Sequence, residues 1–274
     1  MYYQKKKVMN GMGKSEQYHK LISSVRLDYL SRSTDRTTGG TRLLWCEDCK
    51  QEINLWTYWQ NSLDARIMLV GQDWGCPFDD GSKETMRRIQ GVNDDSGRPF
   101  FPNHNDNAIW TTDRNLGELF KILGYDIWQK QPDLFFTNFV LGYRERGTSG
   151  PFRQKWIRDD APYFKRLAEI IEPDVMICLG KNTFEGVVYA LTGQMKRVKG
   201  FNRFLDSGEN NRAVQLDTWK TVSVYAVAHC GTIGTMNRNR SEHSSGQITS
   251  SSNISRQKQD WARFLKLDVI SSRV

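Results

Sequence analysis

The sequence predicts an α/β protein in which a central, mainly parallel, four-stranded sheet lies between two layers of helices, a three-layer α/β/α sandwich. From residue 65 onward, short apolar runs alternate with helical patterns, which is typical of a parallel sheet covered on both faces. Each apolar run has Gly, Asn or His at or just past its end, where ligand-binding loops lie in open α/β sheets. A length of 274 residues is sufficient for one large domain of this kind.

The N-terminal part of the chain is predicted to be a tail followed by a helix. Residues 1–14 are polar and basic and are expected to form a flexible tail, with a single domain over residues 15–274. The apolar face of an amphipathic helix is formed by Tyr18, Leu21, Ile22, Val25 and Tyr29. A Thr-, Gly- and Asp-containing loop at 31–42 and a second helical pattern ending near Leu63 lead into the sheet.

The remaining elements follow in alternation. The four predicted strands are 66–70, 134–140, 175–179 and 222–228. Helices are predicted over 115–123, 155–171, 182–191 and 257–267. A Ser-rich stretch at 241–255 indicates a surface loop before the last helix. In this arrangement the carboxyl ends of the strands are the expected working face.

Composition indicates a folded protein with a polyanionic partner. The chain has 38% hydrophobic and 12% aromatic residues, too many for a disordered protein. Its 39 Lys and Arg against 31 Asp and Glu give a net charge of +8, which favours nucleic acid, although such a balance also serves solubility. Without a long apolar run or an apolar secretion signal, a cytoplasmic protein with no membrane partner is expected. Five scattered cysteines fit a reducing compartment, with Cys178 and Cys230 packed as small hydrophobic residues.

Polar residues follow the first two predicted strands. Asp73 lies in the segment Gly71-Gln72-Asp73-Trp74-Gly75, directly after the first strand, although an aspartate there is also a common turn or cap residue. Asn138 follows the second strand, and its amide offers both donors and an acceptor, which match the hydrogen-bonding edge of a pyrimidine. An Asn at a strand end is also often a turn residue. Together the two positions make the carboxyl edge of the sheet a candidate site.

His229 ends the last predicted strand and enters a Gly-rich segment, predicted to be a loop, that continues to residue 240. Backbone amides and cations in such a loop can grip phosphates, and an imidazole beside them can stabilise negative charge on a leaving base. A structural histidine at a strand end is the alternative. The candidate DNA contacts in this segment are Gly231, Ile233, Asn237, Arg238 and Arg240.

The order of these motifs resembles the uracil-DNA glycosylase superfamily over roughly residues 46–240. Gly71-Gln72-Asp73 is similar to the water-activating motif of family one. Gly97-Arg98-Pro99-Phe100 and the segment PDVMICLG at 173–180 are more similar to the iron-sulfur-containing family four. The chain therefore resembles a mosaic of two branches rather than a member of either.

The resemblance implies a role for each matched residue. Asp73 would orient the attacking water, and His229 would donate a hydrogen bond to oxygen 2 of the pyrimidine. The base-binding set would be Gln72, Gly75, Phe100 and Asn138. Phe100 would stack on the base, and Asn138 would read its edge. Ile233, four residues after the histidine, would fill the gap left by the flipped nucleotide, unless it packs its loop onto the core.

In two places the sequence departs from the family patterns, and these departures affect the expected metal binding and the expected size of the target base. Cys46 and Cys49 lie where family four begins its cluster ligands, but the later cysteine pair is missing, so no metal and no cofactor are expected. Gly75 stands where family one has a Tyr that excludes 5-substituted pyrimidines, so a larger base is expected to enter. A charged insertion at 76–96 either lines an enlarged pocket, clamps DNA or is a solvated surface loop.

These features predict a monofunctional DNA glycosylase that flips out a pyrimidine nucleotide, hydrolyses its N-glycosidic bond and leaves an abasic site. The expected target is a 5-modified cytosine, such as the hydroxymethylated or glucosylated cytosine of phage DNA, or uracil, and antiviral defence is an expected role. A monomer acting on double- or single-stranded DNA is expected. The alternative is a non-catalytic sensor of damaged or modified DNA. A nucleotide-processing enzyme is disfavoured, because residues 70–78 lack a P-loop or a dinucleotide glycine fingerprint.

Overall fold

A computed structural model describes residues 12–33, 43–44, 60–73, 111–144, 153–208, 210–240 and 253–266. In these ranges a five-stranded, mostly parallel sheet is flanked by helices, which confirms the predicted α/β class. The expected sheet of four strands is wrong by one strand, because a fifth strand lies at its edge.

The described elements are as follows. The strands are β1 (Leu43–Leu44), β2 (Ile67–Gly71), β3 (Leu134–Asn138), β4 (Tyr143–Arg144), β5 (Val175–Leu179), β6 (Asn211–Gln215) and β7 (Thr221–Val227). The helices are α1 (Lys14–Ser33), α2 (Thr111–Ile122), α3 (Gln154–Ile171), α4 (Lys181–Thr192), α5 (Phe201–Asp206), α6 (Thr232–Asn239) and α7 (Ser255–Ala262), with a 3-10 turn at Arg263–Lys266.

The main sheet has the strand order β3-β2-β5-β7-β6. The first four of these strands are parallel, and β6 pairs antiparallel with β7 at the edge. The four parallel strands are those predicted, each within about two residues of its expected ends. The sequence pattern does not predict β6 because only Val214 of its five residues is buried, so the strand lacks a continuous apolar run.

The strands β2 and β5 are buried on both faces, which explains their continuous apolar runs. In β2, Met68 and Val70 belong to a hydrophobic cluster with α1, α3 and α4. Ile67 and Leu69 belong to a second cluster with α2 and α7. Successive side chains of a strand point to opposite faces, so helices cover the sheet on both sides.

Two differences from the predicted organisation are local. Lys14, predicted to end the tail, is the first residue of α1. The segment after Gly231, predicted to be a loop, forms α6. Cys178 and Cys230 are buried, as predicted. Across the described ranges, no helix has both the length and the apolar character needed to cross a membrane.

Candidate active site

Residues after all four parallel strands meet at the carboxyl edge of the sheet. Gln72 and Asp73 follow β2, Asn138 ends β3, Asn182 follows β5, and His229 follows β7. Gly71 and Asn138 are register partners in the β2–β3 pair, so the first two strand ends are level. The parallel topology therefore brings three predicted site regions, 72–73, 138 and 229, to one edge.

Asp73 is half-buried and is held by its neighbour. Gln72 Nε2 donates to Asp73 Oδ2 at 2.7 Å. The backbone of this loop continues the β2–β3 pairing, because Val140 N–H donates to Gln72 O at 3.0 Å. The carboxylate thus lies on a segment that is fixed by both a main-chain and a side-chain contact.

The amide of Asn138 lies directly over Gly71. A Cβ atom on Gly71 would overlap Asn138 Oδ1, so the position requires glycine for a close approach. Phe139 N–H donates to Gly71 O at 2.8 Å and keeps the two strand ends together. Within the described residues, the Asn138 side-chain amide has no hydrogen-bond partner. Its donors and acceptor are therefore not committed to groups in that part of the protein.

The segment that follows Asn138 is anchored to two helices. Leu141 N–H donates to Asp160 Oδ2 of α3 at 2.9 Å, and Gly142 N–H donates to the Tyr29 hydroxyl of α1 at 2.9 Å. Tyr29 also donates to Asp160. Burial raises the pKa of Asp160, although the bonds from Tyr29 and Leu141 oppose this shift. The buried network fixes the main chain on the C-terminal side of Asn138.

His229 is held in one tautomer by its own loop. Gly231 N–H donates to His229 Nδ1 at 2.9 Å, so Nδ1 is an acceptor and the neutral ring carries its proton on Nε2. Burial lowers the pKa of His229 below its usual value, although the nearby Asp73 carboxylate opposes this shift. At neutral pH the side chain therefore offers Nε2–H as a hydrogen-bond donor within the electrostatic influence of a carboxylate.

The main chain around His229 is fixed from three sides. Gln257 Nε2 of α7 donates to His229 O at 3.1 Å, and Asn115 Nδ2 of α2 donates to Cys230 O at 2.7 Å. Gly234 packs so closely that a Cβ there would overlap His229 O. The strand end that carries the imidazole is consequently rigid.

Two helices begin beside His229 with glycine at the N-cap. α4 starts after Gly180, where an added Cβ would lie 3.9 Å from His229 Cβ, and α6 starts after Gly231. Glycine offers no side-chain cap, and the first N–H groups of a helix carry partial positive charge. An anion that forms beside His229 would be stabilised by these two helix ends.

The segment predicted to be a DNA-gripping loop is the helix α6. Ile233 is 75% exposed, so its side chain is available for the predicted wedge. Asn237 and Arg240 are also exposed; Asn237 O accepts from Asn202, and Arg240 NH1 lies 3.3 Å from Asn237 Oδ1. The exposed residues of this set lie on one short helix rather than in a loop.

Gly231 and Arg238 are the buried members of that set. Gly231 N–H is bonded to His229 Nδ1, which argues against its predicted DNA contact. Arg238 is 1% exposed, and its guanidinium donates to both oxygens of the buried Asp260 at 2.7 and 2.8 Å and to Asp206 at 2.8 Å. These bonds join α6 to α7 and α5. A guanidinium occupied in this way does not reach a phosphate, so this geometry argues against the predicted DNA contact of Arg238.

Several predicted features lie outside the described residues. They are Gly75, Phe100, Cys46, Cys49, the insertion at 76–96, the tail residues 1–11 and most of the Ser-rich segment, 241–252. Among the residues that are described, no group of three or more His, Cys, Asp and Glu side chains is arranged to hold a metal ion.

Sequence reasoning missed three residues that support the site. Asn182 lies two residues after Gly180, the glycine that follows β5, a position that a strand–loop–helix pattern does mark. Asn115 and Gln257 carry no such signal, because each is a buried polar residue on the inner face of a helix. Their bonds to the main chain near His229 follow from packing alone.

The fold and this edge define an α/β protein with a carboxylate, an amide and an imidazole gathered at the ends of parallel strands. No model of a known protein family matches the sequence, and no curated protein matches it significantly. The groups at the sheet edge are therefore the basis for a functional proposal.

Proposed function

We propose that the chain is a monofunctional DNA glycosylase that hydrolyses the N-glycosidic bond of a flipped-out pyrimidine nucleotide. The observation that carries the proposal is that Asp73 and His229 follow parallel strands at the same edge of the sheet, and that the neutral His229 ring bears its proton on Nε2 because Nδ1 accepts from Gly231 N–H. Glycosidic cleavage develops positive charge on the sugar and negative charge on the departing base. The pair supplies one group for each charge.

The proposed reaction uses the two groups in opposite ways. Asp73 orients a water molecule toward the glycosidic carbon and stabilises the sugar cation, while the bond electrons leave with the base. His229 donates Nε2–H to the anionic base oxygen, and the N-termini of α4 and α6 add positive potential there. As the new bond forms, the water gives one proton to the Asp73 carboxylate, which passes it through solvent to the base anion, so that a neutral free base and an abasic site result.

Base recognition in this proposal centres on Asn138. An amide can present a donor and an acceptor to uracil or, after rotation, the reverse pattern to cytosine. In the described part of the structure no hydrogen bond fixes its orientation, which supports both target classes, uracil and a 5-modified cytosine. The stacking role of Phe100 and the open space at Gly75 remain predictions from the resemblance.

DNA contacts in the proposal lie along α6. Exposed Ile233 is the wedge that replaces the extruded nucleotide, and the exposed Asn237 and Arg240 contact the backbone. Arg238 is not part of this surface. The layered α/β fold with its polar groups at the carboxyl edge is compatible with the family that the motifs resemble.

The test compares base release by the wild type and by Asp73→Asn. Oligonucleotides that carry uracil, thymine, hypoxanthine, 5-hydroxymethylcytosine or its glucosylated form are incubated with protein and then cleaved by alkali at abasic sites. We expect scission of at least one substrate by the wild type, and a loss of about 100-fold or more in Asp73→Asn with DNA binding retained.

Asp64→Asn provides the matched control. Asp64 lies before β2, at the other end of the strand, and its exposed carboxylate pairs with Lys14 at 3.0 Å. This variant should release base at the wild-type rate. Binding by the wild type without scission of any substrate would reject the glycosylase and favour the non-catalytic sensor.

A further inference from the structure

Asn182 extends from the first turn of α4 to the loop that carries Asp73. Its Nδ2 donates to Gln72 Oε1 at 2.9 Å, and Gln72 Nε2 donates to Asp73 Oδ2 at 2.7 Å. All three side chains are half-buried. We refer to this chain of two hydrogen bonds as the Asn182–Gln72–Asp73 relay.

The chemistry of the three groups permits only one direction for the relay. An ionised carboxylate accepts hydrogen bonds and donates none, so Gln72 must turn its NH2 group toward Asp73. The carbonyl oxygen of Gln72 then faces Asn182, which must present its own NH2 group. The charge on Asp73 therefore sets the orientation of both amides, and the amides in turn hold the carboxylate.

Both ends of the relay are attached to the sheet. Gly180 N–H donates to Val227 O at 2.7 Å, and Thr183 Oγ1 donates to Leu179 O at 2.9 Å, which fixes the first turn of α4. On the other side, Gln72 O accepts from Val140 N–H at 3.0 Å. Because both of these segments are fixed, the relay between them holds the plane of the Asp73 carboxylate in one orientation, as a catalytic group requires.

We propose that Asn182 is a positioning residue that acts through Gln72 to hold the Asp73 carboxylate in the orientation that directs water at the glycosidic carbon. The inference rests on the proposed function. Asn182 contacts neither the substrate nor the reacting atoms in this role. Its effect is on geometry, and a misplacement of about 1 Å in a catalytic group can cost about 100-fold in rate.

The first test is Asn182→Ala, measured under single-turnover conditions with the oligonucleotide that the wild type cleaves. We expect the rate of base release to fall about 10- to 100-fold, while the dissociation constant for that DNA changes less than about twofold. Thr192→Ala is the matched control, because Thr192 lies at the opposite end of α4, where its Oγ1 donates to Val188 O at 2.6 Å and accepts from Gln194 N–H at 3.1 Å. This control should keep the wild-type rate.

Two further variants separate positioning from general damage. Asn182→Asp places an acceptor against Gln72 Oε1, so it should be slower than Asn182→Ala. The double variant Gln72→Ala with Asn182→Ala should be no slower than Gln72→Ala alone, because the relay is already broken at Gln72. Two independent structural roles would instead give rate losses that multiply.

The outcomes distinguish this inference from the proposed function. A wild-type rate in Asn182→Ala, or multiplying losses in the double variant, would overturn the positioning role and leave the glycosylase in place. If the wild type releases no base from any substrate, both proposals fail. Should circular dichroism show that Asn182→Ala does not fold, Asn182→Ser replaces it, because serine is too short to reach Gln72 and is tolerated in a first helical turn.

Discussion

At the residue scale, His229 is a side chain whose chemical state is selected by backbone contacts. Gly231 N–H points at Nδ1, so a second proton on the ring would bring two donors face to face. Burial acts in the same direction by disfavouring the charged ring. The negative charge of the Asp73 carboxylate opposes this lowering of the His229 pKa, because it favours the imidazolium. The folded protein therefore prefers the neutral ring more than the unfolded chain does.

This preference predicts a pH-dependent stability. As pH falls from about 7.5 to about 5.5, the free energy of unfolding should decrease more in the wild type than in His229→Gln. The folded-state pKa of His229 lies below the unfolded value of about 6.5, so the unfolded state binds the proton first and gains stability in this window. Urea denaturation at both pH values measures the difference.

The control for this experiment is His19→Gln, which alters an exposed histidine on α1. It should follow the pH dependence of the wild type. The same pH dependence in the wild type and in His229→Gln would contradict a lowered pKa at His229.

At the element scale, the helix α6 is stabilised by contacts with neighbouring helices rather than by the helix propensity of its own sequence. Its sequence, TIGTMNRN, contains glycine, β-branched residues and asparagine, all of which are poor helix formers. The ion pairs of the buried Arg238 with the buried Asp260 and the exposed Asp206 attach the helix to α7 and α5. This attachment presents Ile233 to solvent and keeps Gly231 next to the His229 ring.

Arg238→Met should therefore destabilise the protein by about 3–5 kcal/mol, because it leaves the buried Asp260 carboxylate without its guanidinium. Chemical denaturation measures this loss. Arg240→Met, two residues further along, changes an exposed side chain and should leave the free energy of unfolding nearly unchanged while weakening DNA binding. A stable Arg238→Met variant with reduced DNA affinity would instead support the phosphate contact predicted from sequence.

At the scale of the whole molecule, the net charge of +8 gives the proposed DNA complex a testable property. Each phosphate neutralised by Lys or Arg releases counterions, so the affinity should fall as salt rises. Each such contact predicts a loss of roughly 3.5-fold between about 50 mM and about 200 mM salt. Fluorescence anisotropy with a labelled oligonucleotide measures this slope.

The variant Arg240→Met refines the salt experiment. Loss of one phosphate contact should reduce the slope of log affinity against log salt by about 1. An affinity that does not change with salt would contradict binding through phosphates and remove the support that the net charge lends to a DNA partner.

Much of the fold was predictable from sequence because its signals are local. Short, mainly apolar runs marked β2, β3, β5 and β7, and helical periodicity marked α1 through α4 and α7. The same strands pointed to Asp73, Asn138 and His229, since a polar residue at the end of a buried parallel strand belongs to the working edge. These inferences depend on positions a few residues apart in the chain.

Other features of the fold and the site were not predictable from local sequence patterns, because they depend on contacts between distant segments of the chain. β6 has few apolar residues and forms because it pairs with β7, and α6 forms because Arg238 finds carboxylates on two other helices. The bond from Asn182 to Gln72 joins residues 110 positions apart. Sequence alone was sufficient to identify which side chains could do chemistry at the sheet edge. Packing set whether a side chain is exposed, as Ile233 is, forms an ion pair, as Arg238 does, or joins the relay, as Asn182 does, because the partners of these residues lie on other elements.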